Sequence, residues 1–224
     1  MAKVHFPVLN QLQLLAMDLT TGNDFMTYLG RAEAERRIDS GNTKVLILSP
    51  PCTMYSKRML INLRKMSEEM KLRRWREAHT YLDWCMSLCQ KQARKGNYYI
   101  FEHPDTASSW QRPSVQAVQQ LPNANISRFD MCRMGMLTPF SNEPMQKPTK
   151  ILSNLPAVHH RLNGKRCTCT VPHVIIQGSQ GGVTLSRHAQ VYPPKLCATL
   201  CLAVQEELAP DEALPELPAN LIVT

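Results

Sequence analysis

The chain has 224 residues, 43% of them hydrophobic, which is enough to bury a full core in one domain, with or without an appendage. That hydrophobic content excludes a disordered chain. The formal net charge of +8 favours a polyanionic partner, nucleic acid first, although such a charge would also serve solubility alone.

Eight cysteines could form disulfides, but the N-terminal sequence lacks the basic start, long apolar stretch and small-residue cleavage site of a secretory signal. We therefore expect reduced thiols and an intracellular protein, cytoplasmic or nuclear, that is not secreted. The longest apolar runs have the length of strands and fall short of the roughly 20 residues that cross a bilayer. No membrane partner is expected.

Two short apolar runs in the first quarter of the chain predict buried strands. They are LQLLAMD, residues 12–18, and KVLILS, residues 44–49. The segment between them, GRAEAERRIDSG, contains helix-forming residues and ends at Gly41, which favours a helix cap. A strand, a helix and a second strand in this order predict a mostly parallel sheet and an α/β fold.

A long helix is predicted between Ser67, which precedes two glutamates, and Gly96, which follows KQARK. Its apolar residues recur at steps of three and four and place one face of the helix against the sheet. That face comprises Leu72, Trp75, His79, Leu82, Met86, Cys89 and Ala93. NYYIFEHP then predicts a strand that ends at Glu102, RPSVQAVQQL a helix, and NISRFDM a further strand.

The periodic pattern weakens after residue 134, and the chain is divided accordingly. Residues 1–134 are predicted to form the α/β core, and residues 135–192 a small irregular subdomain rich in Pro, Gly, Cys and His. PPKLCATLCLAVQEEL recovers helical spacing and predicts a helix over 193–208 that packs back on the core. The acidic residues 209–224 are expected to be a partly mobile tail.

A candidate site follows from the ends of the predicted strands, because side chains just past the carboxyl ends of parallel strands line a ligand crevice. The three strand ends are Asp18, Ser49 to Cys52, and Glu102 to His103. A thiol and a carboxylate would thus share one edge of the sheet. Lys57 and Arg58 follow closely in sequence, and basic groups near a thiol favour the reactive thiolate.

Four blocks in order along roughly residues 12–202 resemble the DNA cytosine-5 methyltransferases, most of all the divergent, compact members found in phages and mobile elements. The blocks are SPPCTMYS, FEHP, KPTKILSN and YPPKLCATL. In that family a Pro-Pro-Cys loop carries the nucleophile and a Glu-Asn-Val strand end carries a carboxylate, and Cys52 and Glu102 stand at the matching positions. The resemblance implies a Rossmann-like methyltransferase sheet with helices on both faces, and a target-recognition role for 135–192.

The resemblance also implies a mechanism and a set of binding residues. Cys52 would add to C6 of a flipped cytosine in DNA while Glu102 holds the base at N3, and C5 would take a methyl group from S-adenosylmethionine. Cofactor contacts are implied for Asp18 at the ribose, Asp24 near the adenine, and Pro50. The implied contacts to nucleic acid come from Ser56, Lys57, Arg58, His103, Lys147 and Thr149.

The chain departs from the family pattern at its front, where members carry a strand and a glycine-bearing loop that cradle the methionine part of the cofactor. No such block precedes Asp18, so either residues Val4 to Leu9 substitute poorly for the missing strand or the cofactor pocket is incomplete. His103 also stands where many members have Asn. Three hypotheses follow: an active methyltransferase, a non-catalytic nucleic-acid-binding relic of a mobile-element enzyme, and a fragment of a longer enzyme.

Simpler interpretations compete for two of these features. Cys52 could be an inert buried thiol, as many cysteines are. The basic segment 57–76 carries eight Lys and Arg against two glutamates, and it is either a solvated face or a set of phosphate contacts.

Cysteines and histidines recur in the segment HHRLNGKRCTCTVPH, which offers ligands of the type that zinc prefers. The Cys-x-Cys spacing is tighter than the usual spacer of two to four residues, so a polar loop explains the segment better than a zinc site does. We therefore predict no metal site, with Cys167, Cys169 and His173 as the candidates if one exists.

Overall fold

The structure is a computed structural model that describes residues 15–57 and 59–209. These residues form an α/β fold around a mixed four-stranded sheet, which confirms the predicted α/β class. In order across the sheet the strands are β1 (Val45–Leu48), β2 (Tyr98–Pro104), β4 (Pro148–Ser153) and β3 (Asn125–Asp130). No helix in the described part of the chain is both long enough and apolar enough to cross a membrane.

The chain divides into two compact units. Within the described residues, the unit that we call the N-terminal unit consists of 15–126 and Ile151–Leu155, and the C-terminal unit consists of Ser127–Lys150 and 156–209. The division assigns Ile151–Leu155, which sequence reasoning placed in the irregular segment, to the same unit as β1 and β2.

The N-terminal unit contains a parallel pair of strands joined by a helical crossover. Val45 to Leu48 of β1 lie opposite Tyr98 to Phe101 of β2 in parallel register. Helix α1 (Tyr28–Asp39) precedes β1, and α2 (Met59–Leu63) and α3 (Glu68–Arg94) lie between the two strands, with α3 packed on both of them. Helix α4 (Pro113–Gln119) follows β2 and packs on α3.

The strand predicted for residues 12–18 is not observed in its described part. Residues 15–17 have no regular structure, and residues 12–14 lie outside the described residues. Leu15 is 62% exposed, so it gains little from burial, and Asp18 caps a 3₁₀ turn formed by Leu19–Thr21. Local capping by Asp18 thus replaces the expected strand end.

Helix α3 starts and ends where its capping residues predict. The Ser67 side chain accepts a hydrogen bond from the Met70 N–H at 3.2 Å, and Gly96 follows the helix in the left-handed conformation with φ of 68°. Its buried face belongs to a core cluster with Tyr99 and Phe101 of β2 and with Val115 and Val118 of α4. The buried residues of α3 are Leu82, Cys85, Met86, Leu88, Cys89 and Gln92.

Leu72 departs from the predicted core face, because it is 66% exposed. A helix of 27 residues spans about 40 Å, whereas the seven residues of β2 span only about 23 Å. The C-terminal end of α3 is tied to the amino edge of the parallel pair, where Gln92 Nε2 donates to Thr43 O at 3.0 Å. The first two turns of α3 therefore extend past the carboxyl edge and leave Leu72 without a sheet to cover.

The C-terminal unit contains more regular structure than the predicted irregular subdomain 135–192. It includes the first half of β4, helix α5 (Pro156–Leu162), a hairpin of β5 (Ser179–Gln180) and β6 (Val183–Thr184), and helix α6 (Leu185–His188). Helix α7 (Pro194–Leu208) confirms the predicted C-terminal helix and packs on α5. The tail predicted for 209–224 lies outside the described residues, apart from Ala209.

The different burial of two leucines on α3 predicts a difference in stability. Leu82→Ala removes a side chain that is 1% exposed, and we expect it to lower the free energy of unfolding by about 2–5 kcal/mol. Leu72→Ala, the matched control on the same helix, should change it by less than about 0.5 kcal/mol. Urea unfolding followed by circular dichroism measures both. Equal losses would contradict the proposed placement of α3.

Candidate active site

The ends of β1 and β2 bring two of the predicted site segments to one edge of the parallel pair. Leu48 and Phe101 are the last paired residues, so the residues that follow each of them lie at the same carboxyl edge. These are the loop of Ser49 to Cys52, which follows β1, and Glu102 and His103, which complete the buried part of β2. The thiol-bearing and carboxyl-bearing segments therefore share one edge, whereas Asp18, the third predicted strand end, caps a 3₁₀ turn and ends no strand.

His103 links the two segments directly. It is 1% exposed, and its Nε2 lies 3.0 Å from the carbonyl oxygen of Pro50, while its Nδ1 lies 2.6 Å from Ser109 Oγ. A carbonyl oxygen can only accept, so Nε2 carries the proton and donates it to Pro50. In the neutral imidazole Nδ1 then accepts from the Ser109 hydroxyl. His103 thus holds the Pro-Pro-Cys loop against the end of β2.

Cys52 is half-buried at the start of a short 3₁₀ turn, Thr53–Tyr55. The Tyr55 N–H donates to the Cys52 carbonyl at 3.0 Å and closes the turn. The Tyr55 ring, 3% exposed, packs against Trp75, His79 and His103 with ring centroids about 6 Å apart. These ring contacts pack the 3₁₀ turn against α3 and β2.

Glu102 is 5% exposed, although it carries a carboxyl group at the end of an otherwise apolar strand. Burying a carboxylate costs several kcal/mol unless hydrogen bonds or a charge compensate. A carboxyl group at this edge can accept from an amino group with one oxygen and, when protonated, donate to a ring nitrogen with the other.

The sequence did not identify Tyr55, His79 or Arg112 as site residues. The Tyr55 hydroxyl is buried with no hydrogen-bond partner among the described residues, and burial raises the pKa of Tyr55. Loss of hydration lowers the pKa of His79, and the Arg112 guanidinium lowers it further, which favours the neutral imidazole. Arg112 itself donates to Asp83 Oδ2 at 2.7 Å.

The two acids expected at the cofactor form turns of their own. Asp18 Oδ1 accepts from Thr20 Oγ1 at 2.6 Å and from the Thr21 N–H at 2.9 Å, and these hydrogen bonds lower the pKa of Asp18. Asp24 Oδ1 accepts from the Met26 N–H at 2.9 Å. Asp18 is exposed and ionised, so its chemistry fits a ribose diol, while local capping by itself also explains both turns.

The residues expected at nucleic acid are found in different environments. Ser56 and Lys57 follow the Cys52 turn, with Lys57 exposed, and Arg58 lies outside the described residues. Lys147 belongs to the C-terminal unit, where its Nζ donates to Ala189 O at 3.1 Å. Thr149 is fully buried and its hydroxyl donates to the Lys147 carbonyl, so this side chain offers no contact surface.

Cations are nevertheless concentrated on two surfaces. In the N-terminal unit the exposed basic residues of the segment 57–76 are Lys57, Arg64, Lys65, Arg73, Arg74 and Arg76. In the C-terminal unit a cavity of about 390 Å³, which we call the cationic pocket, is lined by Arg133, Met134, His160, Arg161, Lys165, Lys195, Thr199 and Glu206. Glu206 pairs with Arg161 at 2.8 Å, which leaves an excess of positive charge around the pocket.

The three residues named as metal candidates lie together in the C-terminal unit. Cys167, Cys169 and His173 are joined there by Cys132, which sequence reasoning missed. No spacing motif identifies Cys132 as a metal ligand, because it precedes Cys167 by 35 positions.

No protein-family model, no curated protein and no solved structure matches this chain. The interpretation of the site therefore rests on its own geometry and on the sequence blocks described above.

The His103 contact predicts a measurable change in the loop. His103→Phe removes the donor to Pro50 and the acceptor for Ser109. We expect this change to lower the free energy of unfolding by about 1–3 kcal/mol. Alkylation of Cys52 by iodoacetamide, followed by peptide mass mapping, should become faster in the folded protein. Ser109→Ala, the control, keeps the Nε2 contact to Pro50 and should alter Cys52 alkylation much less. Equal alkylation rates in His103→Phe and the wild type would show that His103 does not position the loop.

Proposed function

We propose that this protein is a DNA cytosine-5 methyltransferase-like enzyme in which Cys52 is the nucleophile and Glu102 binds the base. The observation that carries the proposal is the buried His103, which holds the Pro50 carbonyl at 3.0 Å at the edge where β2 presents Glu102. A thiol and a carboxyl group are thereby kept at one rigid edge of a parallel strand pair. The parallel pair with its α3 crossover also supports a Rossmann-like sheet.

A comparison among the cysteines supports the choice of Cys52. Cys85 and Cys89 are buried within α3, and burial raises the pKa of both thiols, so neither is a candidate nucleophile. Cys52 instead lies half-buried in a loop beyond a strand end, where a substrate base can approach it.

The proposed reaction uses these groups in a balanced sequence. The Cys52 thiolate forms a bond to C6 of a flipped cytosine, and the electron pair of the C5–C6 bond shifts toward C5 and N3. Glu102 stabilises that charge through a hydrogen bond at N3. S-adenosylmethionine, when bound, supplies the methyl group that C5 takes up. Loss of the C5 proton to a base then re-forms the double bond as the Cys52 sulfur leaves.

The proposed nucleic-acid partner is supported by charge. The cationic pocket contains five basic side chains for one glutamate, a composition that suits phosphate oxygens. Lys165 and Lys195 form no ion pair within the described part of the chain, so their charges are available to a ligand. This pocket also favours a second candidate function, non-catalytic DNA binding, because it needs neither Cys52 nor a cofactor.

Covalent trapping tests the proposed mechanism. On a mixed-sequence DNA duplex that contains 5-fluorocytosine, with S-adenosylmethionine present, the wild type should form a denaturation-resistant adduct, because the missing C5 proton blocks release of Cys52. Cys52→Ala should form none. Glu102→Gln should form it about 100-fold more slowly. Gel electrophoresis of labelled DNA measures each rate.

The control for trapping is Cys201→Ala, which removes a partly buried thiol of α7 and should leave the adduct intact. Absence of an adduct from wild type that binds S-adenosylmethionine by calorimetry would refute the catalytic proposal. Absence of cofactor binding together with salt-sensitive DNA binding would support the second candidate function instead.

Salt dependence tests the cationic pocket. Lys195→Ala removes one charge from its lining, and we expect the slope of log K against log salt for duplex DNA to become shallower by about 1. Lys44→Ala removes an exposed charge from the N-terminal unit just before β1 and serves as the control. Fluorescence anisotropy over a salt series measures both slopes. Identical slopes for Lys195→Ala and wild type would remove the pocket from the DNA-binding surface.

A further inference from the structure

Four metal-ligating side chains of the C-terminal unit meet at one point. They are Cys132, Cys167, Cys169 and His173, and their ligand atoms all lie within 4.8 Å of one another. A tetrahedral zinc ion with bonds of about 2.3 Å to sulfur and about 2.0–2.1 Å to nitrogen places its ligand atoms about 3.6–3.8 Å apart. Cys167 Sγ and His173 Nε2 are 3.3 Å apart, which is near that spacing before any adjustment.

We propose that these four residues form a structural zinc site. The donor set of three sulfurs and one imidazole nitrogen suits zinc, whereas calcium and magnesium prefer oxygen ligands. Four protein ligands fill a tetrahedral ion and leave no open position for a substrate, which is the pattern of structural sites. The site lies apart in sequence from the proposed nucleophile, so its existence does not depend on the catalytic proposal.

Backbone geometry and one hydrogen bond help to position Cys132 and Cys167. Cys132 lies in the 3₁₀ turn Met131–Met134 that follows β3, and Gly135 closes this turn with φ of 83°. Glycine suits that left-handed conformation because it has no Cβ. The remaining ligands come from the loop after α5, where the Cys167 N–H donates to Asp130 Oδ2 at 2.9 Å.

A second contact within the cluster is typical of a metal-bound thiolate. The backbone N–H of Cys169 points at Cys167 Sγ, with a nitrogen–sulfur distance of 3.3 Å. An N–H that donates to sulfur stabilises the negative charge of a thiolate and orients its lone pairs. The tight Cys-x-Cys spacing, which argued against zinc at the level of sequence, is what produces this contact.

The loop that carries Cys167 and Cys169 has little buried surface of its own to stabilise it. Most residues from Asn163 to Val171 are exposed, so they bury little apolar surface to hold the loop in place. Arg133 Nη1 donates to Thr168 Oγ1 at 2.7 Å, and Arg133 and Lys165 both line the cationic pocket. Zinc at the cluster would therefore order one wall of that pocket.

Metal analysis of the full chain tests this proposal. The protein, purified without a histidine tag in the presence of a thiol reductant, should contain one zinc ion per chain by plasma mass spectrometry. Cobalt(II) in place of zinc should give the visible absorption of a tetrahedral thiolate site. Cys132→Ser and His173→Ala should each weaken zinc binding at least 10-fold in competition with a chelator dye.

Cys201→Ser is the matched control, because Cys201 lies on α7 outside the cluster and should leave the zinc content at one. Circular dichroism of each variant shows whether α3 and α7 have folded. His173→Ala retains all three thiols and provides a second test if Cys132→Ser does not fold. A folded wild type that takes up no zinc with its thiols reduced would overturn the proposal. Zinc affinity unchanged in both ligand variants would do the same.

Discussion

The hydrogen bond from His103 Nε2 to the Pro50 carbonyl is the interaction on which the candidate site depends. Two successive prolines remove two backbone N–H donors, so the loop after β1 cannot continue the ladder with β2. Pro50 is buried, and its carbonyl still requires a donor there. His103 supplies that donor from the neighbouring strand, and the Pro50 carbonyl, which can only accept, fixes Nε2 as the nitrogen that carries the proton. The position of Cys52, two residues later, follows from this contact.

The same arrangement gives the two proposed reactive groups different surroundings. Cys52 is half-buried in the loop after the double proline, whereas Glu102 is 5% exposed because β2 is buried on both faces. A buried carboxyl group acts in a medium of low dielectric constant, where its hydrogen bonds are stronger. The aromatic packing of Tyr55 beneath the loop keeps the loop from relaxing into solvent.

The sequence predicts features that local rules control and misses those set by distant packing. The ends of α3 were predictable because Ser67 and Gly96 act within one turn, and the shared edge of β1 and β2 follows from parallel pairing. Leu72 was misplaced because periodicity shows which face is apolar but not where the covering sheet stops. Strand β4 was missed because its sequence PTKILS offers only a two-residue apolar run, Ile151 and Leu152, too short for a periodic signal. Cys132 was missed because no spacing rule reaches across the 34 residues that separate it from Cys167.

Charge balance connects the zinc proposal with the basic character of the C-terminal unit. Three thiolates and one neutral imidazole around Zn²⁺ carry a net charge of about −1, which would be costly beside other acids. Asp130 is the nearby acid, and it is already engaged by the Cys167 N–H and by Arg166 at 3.6 Å. Arg133, bonded to Thr168 of the same loop, adds a second cation. Arg133, which also lines the cationic pocket, is thus one of the groups that would make a thiolate-rich metal site electrostatically acceptable.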